Sequence, residues 1–321
     1  MTKTRVGVIR GGVGHEYEVS LATGANVLRN LDKNKYEPVD ILVTKDKVWH
    51  YKGLPIKIND LPEFIDVGFN ALHGEFGEDG RVQRLFEEVN LPYTGSNSQA
   101  SAIGLDKYEV KEILQDKGIL VPRGMLFERG DSVFMVASEV FKKIAPPWIV
   151  KPKDRGSSVG VYLAKTFLDL EEAIENSLRF SDYILVEEYI KGRESSCGVI
   201  NNFRGNNIYA LPPIEIFTPS DNFWTYEDKY SGLTRKTCPG CFKTEEKHSI
   251  QELAKTIHQT LGLRHYSRSD FRVTPRGVYV LEANTLPGLM NGSPLTDSME
   301  AVGISYTDFL DHIVTMSLLG D

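Results

Sequence analysis

Strand patterns and helix patterns alternate along the first part of the chain, and this alternation restricts the fold more than any other feature. "RVGVIRGGVGHE" is a short apolar run that ends in a glycine turn. "SLATGANVLRNL" follows with apolar residues at helical spacing and with Ser20 placed as an N-cap. "EPVDILVTK" and "GFNALHGEFGEDG" are further strand candidates, and "RVQRLFEEVN" is an amphipathic helix. The pattern predicts an α/β fold with a doubly wound parallel sheet over residues 1–95.

Two further domains are predicted from the patterns that follow. "SQASAIGLDKYEVKEILQDKG" is helical up to Gly118, and residues 148–190 read strand, loop, strand, helix and strand. We expect a small central domain over residues 96–190 and a third domain over residues 191–321. The third domain contains a polar aromatic segment, residues 218–249, which is too long for an ordinary connection and is predicted to be a functional loop. A helix ("IQELAKTIHQTLG"), the strands "YSRSDFRV" and "GVYVLEANT", and a final helix complete this domain.

The composition restricts the partners and the compartment. The chain has 321 residues and a formal net charge of −7, which disfavours nucleic acid and anionic membranes as partners. The apolar run near the N-terminus is too short for a signal peptide. Three cysteines, an odd number, argue against a disulfide framework and for a reducing compartment. We expect a cytoplasmic protein that binds neither nucleic acid nor membranes.

A glycine-rich loop follows the strand pattern that ends at Lys151. In "WIVKPKDRGSSVGV" the loop holds Ser157 and Ser158 between glycines. The chain has no P-loop sequence, and Tyr17 stands where the dinucleotide fingerprint needs its third glycine. Backbone N–H groups and the two hydroxyls can form an anion-binding concavity, to which the lysine adds a positive charge. The pattern predicts a phosphate loop, with a plain surface hairpin as the alternative.

Four polar residues occupy the two strand patterns near the C-terminus. Arg268 and Asp270 lie two apart in one strand, and Glu282 and Asn284 lie two apart in the next. Since strand side chains alternate between faces, pairing of these strands would bring all four together. Carboxylate and amide oxygens are ligands that Mg²⁺ prefers. We predict a metal site here; a solvated strand face is the alternative, which the apolar run "VYVL" beside it disfavours.

The sequence "CPGC" has the spacing of half a zinc site or of a redox pair. Its cysteines are Cys238 and Cys241. A structural zinc needs two more ligands, for which only Cys197 and His248 offer themselves. We favour ordinary loop or surface cysteines.

The motifs "GGVGHEYEVSL", "HGEFGEDG", "LPYTGS", "DKYEVK", "IVKPKDRGSSVG", "VEEYIKGRE", "YEDKY", "RSDF" and "LEANTLPG" together resemble the D-alanine–D-alanine ligases of the ATP-grasp superfamily. They occur in the family's order from about Val6 to beyond Ser293. The resemblance implies an ATP-grasp fold, with an N-terminal substrate domain, a central lid domain and a C-terminal ATP-grasp domain. It also implies that ATP phosphorylates one D-alanine, whose acyl phosphate is attacked by the amine of a second, for peptidoglycan synthesis.

The resemblance assigns a role to individual positions around the nucleotide. Glu187 matches the residue at the adenine and Glu194 the ribose ligand. Two Mg²⁺ ions are implied, which Mn²⁺ can replace. The phosphate contacts implied are Lys107, Lys151, Ser157 and Ser158, and the metal ligands are Asp270, Glu282 and Asn284.

The resemblance also assigns substrate and catalytic residues. Glu16 matches the carboxylate that receives the ammonium group of the first D-alanine, His73 lies near that substrate's carboxylate, and Arg268 matches the arginine that stabilises the transferring charge. The remaining positions are Ser157 and Tyr230, which tie Glu16 to the closing loop, Lys229 at the γ-phosphate, and Gly288 and Ser293 at the second amino acid. We also expect a homodimer, and a segment 219–247 that becomes ordered when ligands bind.

Some positions depart from the family pattern and leave the acceptor open. Gly14 replaces a usual serine, Arg84 a common glycine, and Pro294 a usual leucine or methionine beside the second amino-acid pocket. D-Lactate, D-serine or another amino acid is therefore the alternative acceptor. The loop "YEDKY" favours an amine acceptor over a hydroxy acid. A nucleotide-binding module without catalysis is disfavoured because the four polar residues of the last two strands are all present.

Overall fold

The computed structural model describes residues 3–217 and 234–320. These residues form three β-sheets, and one sheet lies within each of the three ranges predicted as domains. The domain boundaries themselves stay predictions. Within the part of the chain described, no helix combines the length and the apolar character needed to cross a membrane.

The N-terminal sheet is parallel at its centre. Its order is β4-β3-β2-β1-β5, where β1 is Thr4–Gly11, β2 Tyr36–Val43, β3 Trp49–Tyr51, β4 Leu54–Ile56 and β5 Val67–Asn70. β1 runs parallel to β2 and β5, as a doubly wound fold requires, and the short strands β3 and β4 add antiparallel pairs at one edge. The helices of this part are α1 (Tyr17–Asn30), α2 (Leu61–Phe64), preceded by a 3₁₀ turn at Ile58–Asp60, and α3 (Arg81–Glu88).

Helix α1 begins earlier than the sequence predicts. Its first residue is Tyr17 and its N-cap position is Glu16, so the prediction of Ser20 as N-cap is wrong. Ser20 is buried inside the helix, where its Oγ donates to the Ala71 carbonyl at 2.8 Å and accepts from the Gly11 N–H at 2.8 Å. These contacts, with the end of β1 and with the residue after β5, fix the first turn of the helix and place Glu16 at its start.

The central sheet is antiparallel and carries the glycine-rich loop. Its order is β6-β9-β7-β8, where β6 is Gly124–Glu128, β7 Trp148–Pro152, β8 Tyr162–Ala164 and β9 Tyr183–Glu188. Helices α6 (Val133–Lys143) and α7 (Phe167–Ser177) pack on it through a core that includes Trp148 and Ile174. β7 and β8 pair antiparallel, which confirms that the loop of residues 153–161 lies between two strands.

The C-terminal sheet has six strands and is antiparallel. Its order is β13-β12-β10-β14-β15, with β11 beside β10, where β10 is Arg193–Phe203, β11 Asn206–Ala210, β12 Ile214–Phe217, β13 Arg235–Thr237, β14 Tyr266–Thr274 and β15 Gly277–Asn284. The remaining helices are α4 (Ser98–Leu105), α5 (Lys107–Asp116), α8 (Thr244–Thr260), α9 (Pro294–Ala301) and α10 (Tyr306–Leu319). Helices α4 and α5 pack on this sheet, since Ala100 and Val110 share a core with Val199 and Phe271.

The polar segment 218–249 is partly regular structure. Arg235–Thr237 form β13, and α8 begins at Thr244 rather than at Ile250, so the prediction of a loop over this part is wrong. Lys229 and Tyr230 lie outside the described residues.

One apolar core joins the first sheet to the third. Val8 and Phe69 of the N-terminal sheet belong to the same buried cluster as Tyr266 of β14 and Phe309 of α10. The Tyr266 and Phe309 rings meet edge to face, with centroids 5.4 Å apart. Leu286, just after β15, belongs to this cluster as well. The loop that follows the polar strand pair is therefore anchored against the N-terminal sheet.

A buried histidine lies behind the C-terminal sheet. His258 of α8 is 1% exposed, with Nδ1 2.7 Å from Ser267 Oγ and Nε2 in contact with Asn201 Oδ1. Burial, and then the charge of His265, lowers the pKa of His258 from 6.5 to about 4. The unfolded chain therefore binds a proton between these pH values that the folded chain does not bind.

We expect the stability that His258 contributes to be lost as the pH falls from 6.5 towards 4. The loss should reach about 3 kcal/mol by the lower pH, since one pKa unit corresponds to about 1.4 kcal/mol. Urea unfolding across this range should show a flatter pH dependence for His258→Gln than for the parent. His248→Gln, at an exposed histidine, is the control. Equal pH profiles for the parent and His258→Gln would contradict the assignment.

Candidate active site

The glycine-rich loop lies against the start of helix α1. Ser157 and Ser158 adopt left-handed backbone angles, with φ of 49° and 60°, a conformation that costs free energy and concentrates at functional sites. Ser157 Oγ donates to Glu16 Oε1. A Cβ atom at Gly156 would lie 3.1 Å from Glu16 Oε2, so a glycine here lets the loop backbone approach the carboxylate. The structure thus brings Glu16 and Ser157 together.

Glu16 is also enclosed from the side of the N-terminal sheet. The residue is buried, and a Cβ atom at Gly74 would lie only 2.3 Å from Glu16 Oε2. Gly74 has φ +65°, which favours glycine independently of space. The carboxylate is therefore held in a slot between two loops, one from the N-terminal sheet and one from the central sheet.

A cleft lies between the central sheet and the C-terminal sheet. Most of the residues assigned to the nucleotide line this cleft. Apolar side chains line it as well, and a nucleotide base can pack against them. The predicted residues that line it are Lys107, Lys151, Ser158, Glu187, Glu194, Asp270 and Glu282, and the apolar ones include Ile149, Val161, Tyr189, Ile190 and Leu281.

Two buried lysines share one carboxylate at this cleft. Lys151 Nζ lies 2.7 Å from Glu187 Oε2, and Lys111 Nζ donates to Glu187 Oε1. Burial, and then the charge of Lys107, lowers the pKa of Lys151 to about 8. Burial, and then the charge of Lys151, holds the pKa of Lys111 well below its usual value. A polyphosphate beside these lysines would relieve their mutual repulsion, which suits a nucleotide site.

Lys107 links the glycine-rich loop to the polar strand pair. Its Nζ donates to the Arg155 carbonyl and lies 4.0 Å from Glu282 Oε2. The "DKYEVK" motif contains both Lys107 and Lys111, which are one helical turn apart and therefore on one face of α5. Lys111 was not predicted as a site residue, although this spacing could have revealed it.

Strands β14 and β15 pair in the register that the sequence pattern requires. Arg268 is opposite Asn284, and Asp270 is opposite Glu282. The register shifts beside Asp270, where Leu281 forms an irregularity in β15. The predicted convergence of these four residues is thus confirmed.

The Asp270 carboxylate is the centre of this set. Arg268 donates to it through Nε at 2.9 Å and Nη2 at 2.8 Å. Ser196 Oγ donates at 2.6 Å, and Asn284 Nδ2 lies 3.2 Å from Oδ2. Burial lowers the pKa of the Arg268 guanidinium, but the nearby carboxylates, first of all Asp270, together have the larger effect, so the pKa is raised. With Glu282, the set offers two carboxylates and an amide oxygen, a donor set that suits a hard divalent cation.

Glu194 is paired with an arginine that the sequence analysis missed. Arg272 Nη2 lies 2.8 Å from Glu194 Oε2, and Arg272 Nη1 donates to the Gly192 carbonyl at 2.9 Å. The two residues are opposite each other in the β10–β14 register. Arg272 also lines the nucleotide cleft. Its role becomes visible only once these strands are known to pair.

A second cavity is lined by Arg268 and Asn284. It contains the residues assigned to the amino-acid substrates. His73 Nε2 lies 2.8 Å from Thr23 Oγ1, and His73 Nδ1 lies 3.3 Å from Glu78 Oε1. Glu78, in the "HGEFGEDG" motif, was not singled out from the sequence. The predicted lining residues are Glu16, His73, Ser157, Arg268, Gly288 and Ser293.

Pro294 occupies a position where proline is well tolerated. Ser293 is the N-cap of α9 and Pro294 is its first residue, where a helix has no use for the missing N–H. Pro294 lines the amino-acid cavity beside Ser293. The departure from the family pattern therefore removes one backbone donor from the cavity wall without disturbing the helix.

The three cysteines are separate from both cavities. Cys197 is buried and contacts the Leu211 carbonyl at 3.3 Å, and Cys238 Sγ lies 3.8 Å from Ser298 Oγ. Cys241 is exposed. Across residues 3–217 and 234–320, no group of three or more His, Cys, Asp or Glu side chains is arranged to hold a metal ion. The zinc alternative gains no support from these residues.

Two family models of known proteins together match most of the chain. The family model described as "D-ala D-ala ligase N-terminus" matches residues 5–60 and 53–96, and that described as "D-ala D-ala ligase C-terminus" matches residues 113–315. A D-alanine–D-alanine ligase of Geobacter sulfurreducens is 38% identical, over 97% of this chain and 93% of the relative. One of Carboxydothermus hydrogenoformans is 35% identical, over 98% and 99%.

Solved structures agree with the fold. A D-alanine–D-alanine ligase from Bacillus anthracis complexed with ATP has a TM-score of 0.82 and 32% identity, with 98% of each chain covered. The VanG D-Ala:D-Ser ligase from Enterococcus faecalis has a TM-score of 0.86 and 29% identity, covering 98% of this chain and 100% of the other. The expected ATP-grasp fold is thus confirmed. With both family models matched, and relatives 38% and 35% identical over nearly its whole length, the chain belongs to the D-alanine–D-alanine ligase family.

Proposed function

We propose that the chain uses ATP to join two D-alanines into D-alanyl-D-alanine for peptidoglycan synthesis. ATP phosphorylates the carboxylate of the first D-alanine, and the amine of the second attacks the acyl phosphate, releasing phosphate and leaving ADP. One observation carries this proposal: a single strand pair serves two cavities. Asp270 and Glu282 line the nucleotide cleft, and Arg268 and Asn284 line the amino-acid cavity. A carboxylate and a γ-phosphate can meet there without covalent help from the protein.

The donor is held by charges of opposite sign. Glu16 receives the ammonium group of the first D-alanine, and His73 lines the same cavity. Arg268 faces the carboxylate that is phosphorylated and stabilises the negative charge that develops there. Ser157 holds Glu16 and the glycine-rich loop together. Lys229 and Tyr230, outside the described residues, are proposed to complete the closure.

The nucleotide side supplies the positive charge that phosphoryl transfer needs. Lys107 and Lys151 contact the phosphates, Ser158 adds a hydroxyl donor, and Glu187 and Glu194 take the adenine and the ribose. Ser157, whose hydroxyl donates to Glu16, contributes its backbone N–H group to the phosphate loop. We propose that Asp270, Glu282 and Asn284 hold two Mg²⁺ ions, or Mn²⁺ in their place, because both ions take oxygen ligands. The bound metal would neutralise charge on the transferring phosphates.

The second substrate is proposed to be an amine. Gly288 and Ser293, which line the cavity together with Glu16, are proposed to contact it. When ATP, Mg²⁺, D-alanine and an excess of D-lactate are supplied together, we expect the dipeptide to dominate the ester product at neutral pH. Glu16 and Glu78 line the same cavity, so a lactate anion, which brings no positive charge, meets carboxylates that an amino-acid zwitterion tolerates. Mass spectrometry of the products measures the ratio.

The same assay separates the alternatives. A dominant ester product would reject the amine acceptor. A panel that includes D-serine and larger D-amino acids tests whether Pro294 admits another acceptor. If the product with D-serine exceeds D-alanyl-D-alanine, the acceptor is D-serine and the proposed ligase reaction still holds. Absence of ADP release with every amino acid would favour a nucleotide-binding module.

We propose that the enzyme works in the cytoplasm. ATP is available in the cytoplasm, and free cysteines persist in that reducing compartment. The homodimer stays a prediction, which sedimentation of the purified protein tests. Ligand-dependent ordering of residues 219–247 also stays a prediction. Limited proteolysis with and without ATP and a substrate analogue tests it.

A further inference from the structure

A lysine enters the amino-acid cavity from strand β13. Lys236 lines the cavity together with Ser293 and Pro294. Its Nζ lies 2.9 Å from Asp297 Oδ2 and donates to the Gly292 carbonyl. None of the roles assigned above uses this side chain.

The acceptor side of the cavity needs a positive charge. An acceptor amino acid carries a carboxylate, and enclosing that anion without a partner is costly. Among the described residues that line the cavity, the lysine and arginine side chains are Lys236 and Arg268. Both carboxylate oxygens of Asp270 already accept from Arg268, which is assigned to the donor. Pro294 has no N–H to offer from the wall of the cavity.

We propose that Lys236 binds the carboxylate of the acceptor amino acid and thereby sets the specificity for acceptors that carry one. Asp297 and the Gly292 carbonyl hold the ammonium group when no acceptor is bound. The side chains of Lys236 and Asp297 are 20% and 27% exposed, so water can replace either partner at small cost. Asp297 lies in the first turn of α9, where a carboxylate is stabilised by the helix dipole after the lysine leaves. This inference rests on the proposed function.

A purely structural role for Lys236 is the competing explanation. The lysine joins β13 to the loop before α9, and a brace of this kind would act through its ion pair with Asp297. The two roles differ in their response to Asp297→Asn. Loss of the partner weakens a brace as much as loss of the lysine does, whereas it leaves an acceptor-binding lysine in place.

The experiment offers two acceptors in competition. With ATP, Mg²⁺ and D-alanine as donor, D-alaninamide competes with D-alanine as acceptor, because it has the same amine and side chain but no carboxylate. Mass spectrometry of the dipeptide and the dipeptide amide gives the preference. We expect Lys236→Met to reduce the preference for D-alanine by about 10- to 100-fold, as for a lost hydrogen bond to a charged group. Lys236→Gln, which also removes the charge, should behave alike, and Asp297→Asn should keep the parent preference.

Each outcome decides between the roles. An unchanged preference in both Lys236→Met and Lys236→Gln overturns the inference, as does an equal loss in Asp297→Asn. Thermal unfolding and the KM for ATP, both expected to be near the parent values, show that the variants are folded. If the parent enzyme makes neither product, the proposed function itself is wrong. If the parent makes dipeptide but its acceptor preference does not depend on Lys236, only the role of Lys236 is wrong.

Discussion

Glu282→Gln should lower kcat by about 10²–10³-fold, the size of effect seen when a group that stabilises transition-state charge is removed. The carboxylate lies on β15 opposite Asp270 and faces the nucleotide cleft. Glutamine keeps its size but removes the charge that holds the metal. The Glu282 side chain is 26% exposed and lies 4.0 Å from Lys107 Nζ, and thermal unfolding of the variant shows that it is folded. ADP release with D-alanine, measured over a range of Mg²⁺ concentrations, tests this.

Asp270→Asn should lose activity to a similar extent but also lose stability. Asp270 balances the buried Arg268 through two hydrogen bonds, and removing its charge leaves a buried cation unpaired, at a cost of about 2 kcal/mol or more. Glu300→Gln, at an exposed glutamate, is the control for both variants and should match the parent. Near-parent ligase activity of folded Glu282→Gln would reject the metal assignment.

The strand pair shows what the sequence can specify. Side-chain alternation is a local property of a strand, so the spacing of Arg268 with Asp270 and of Glu282 with Asn284 already assigns each pair to one face. The apolar neighbours indicate that these charges are buried and therefore need partners. Antiparallel pairing then brings the two faces together, as the observed register confirms. Pairing of two adjacent strands requires little information from the rest of the chain.

Contacts between segments that are distant in the chain are harder to predict from the sequence. Lys111 is paired with Glu187, 76 positions later in the chain, and nothing local distinguishes it from a solvated helix lysine. The partner of Arg272 is equally hard to predict, since it depends on the register of β10 with β14. Ser20 illustrates the reverse error: its type suits an N-cap, but contacts with the end of β1 and with the residue after β5 bury it inside α1. In each case tertiary packing overrides a local preference.

Gly74→Ala should impair the enzyme through Glu16 rather than through the fold. The added Cβ would lie 2.3 Å from Glu16 Oε2, a distance that no pair of such atoms tolerates. The atom that must move is the end of a flexible side chain, so the clash is relieved at small cost to stability. The displaced carboxylate, however, is the group that receives the donor ammonium and contacts Ser157. Misplacement of a positioning group by about 1 Å can cost about 10²-fold in rate, and we expect a loss of that size in kcat/KM for the donor.

The control for this variant is another glycine with the same backbone requirement. Gly53 has φ +79° and no atom within 4 Å of its Cβ position, whereas Gly74 has φ +65° and the Glu16 carboxylate in front of it. Alanine in the left-handed region costs about 1–2 kcal/mol at either site, so Gly53→Ala should lose comparable stability and keep full activity. Steady-state kinetics on both variants, with thermal unfolding beside them, separates backbone strain from displacement of the carboxylate. If the two variants lost activity equally, or if Gly74→Ala remained fully active, the slot around Glu16 would have no part in binding the donor.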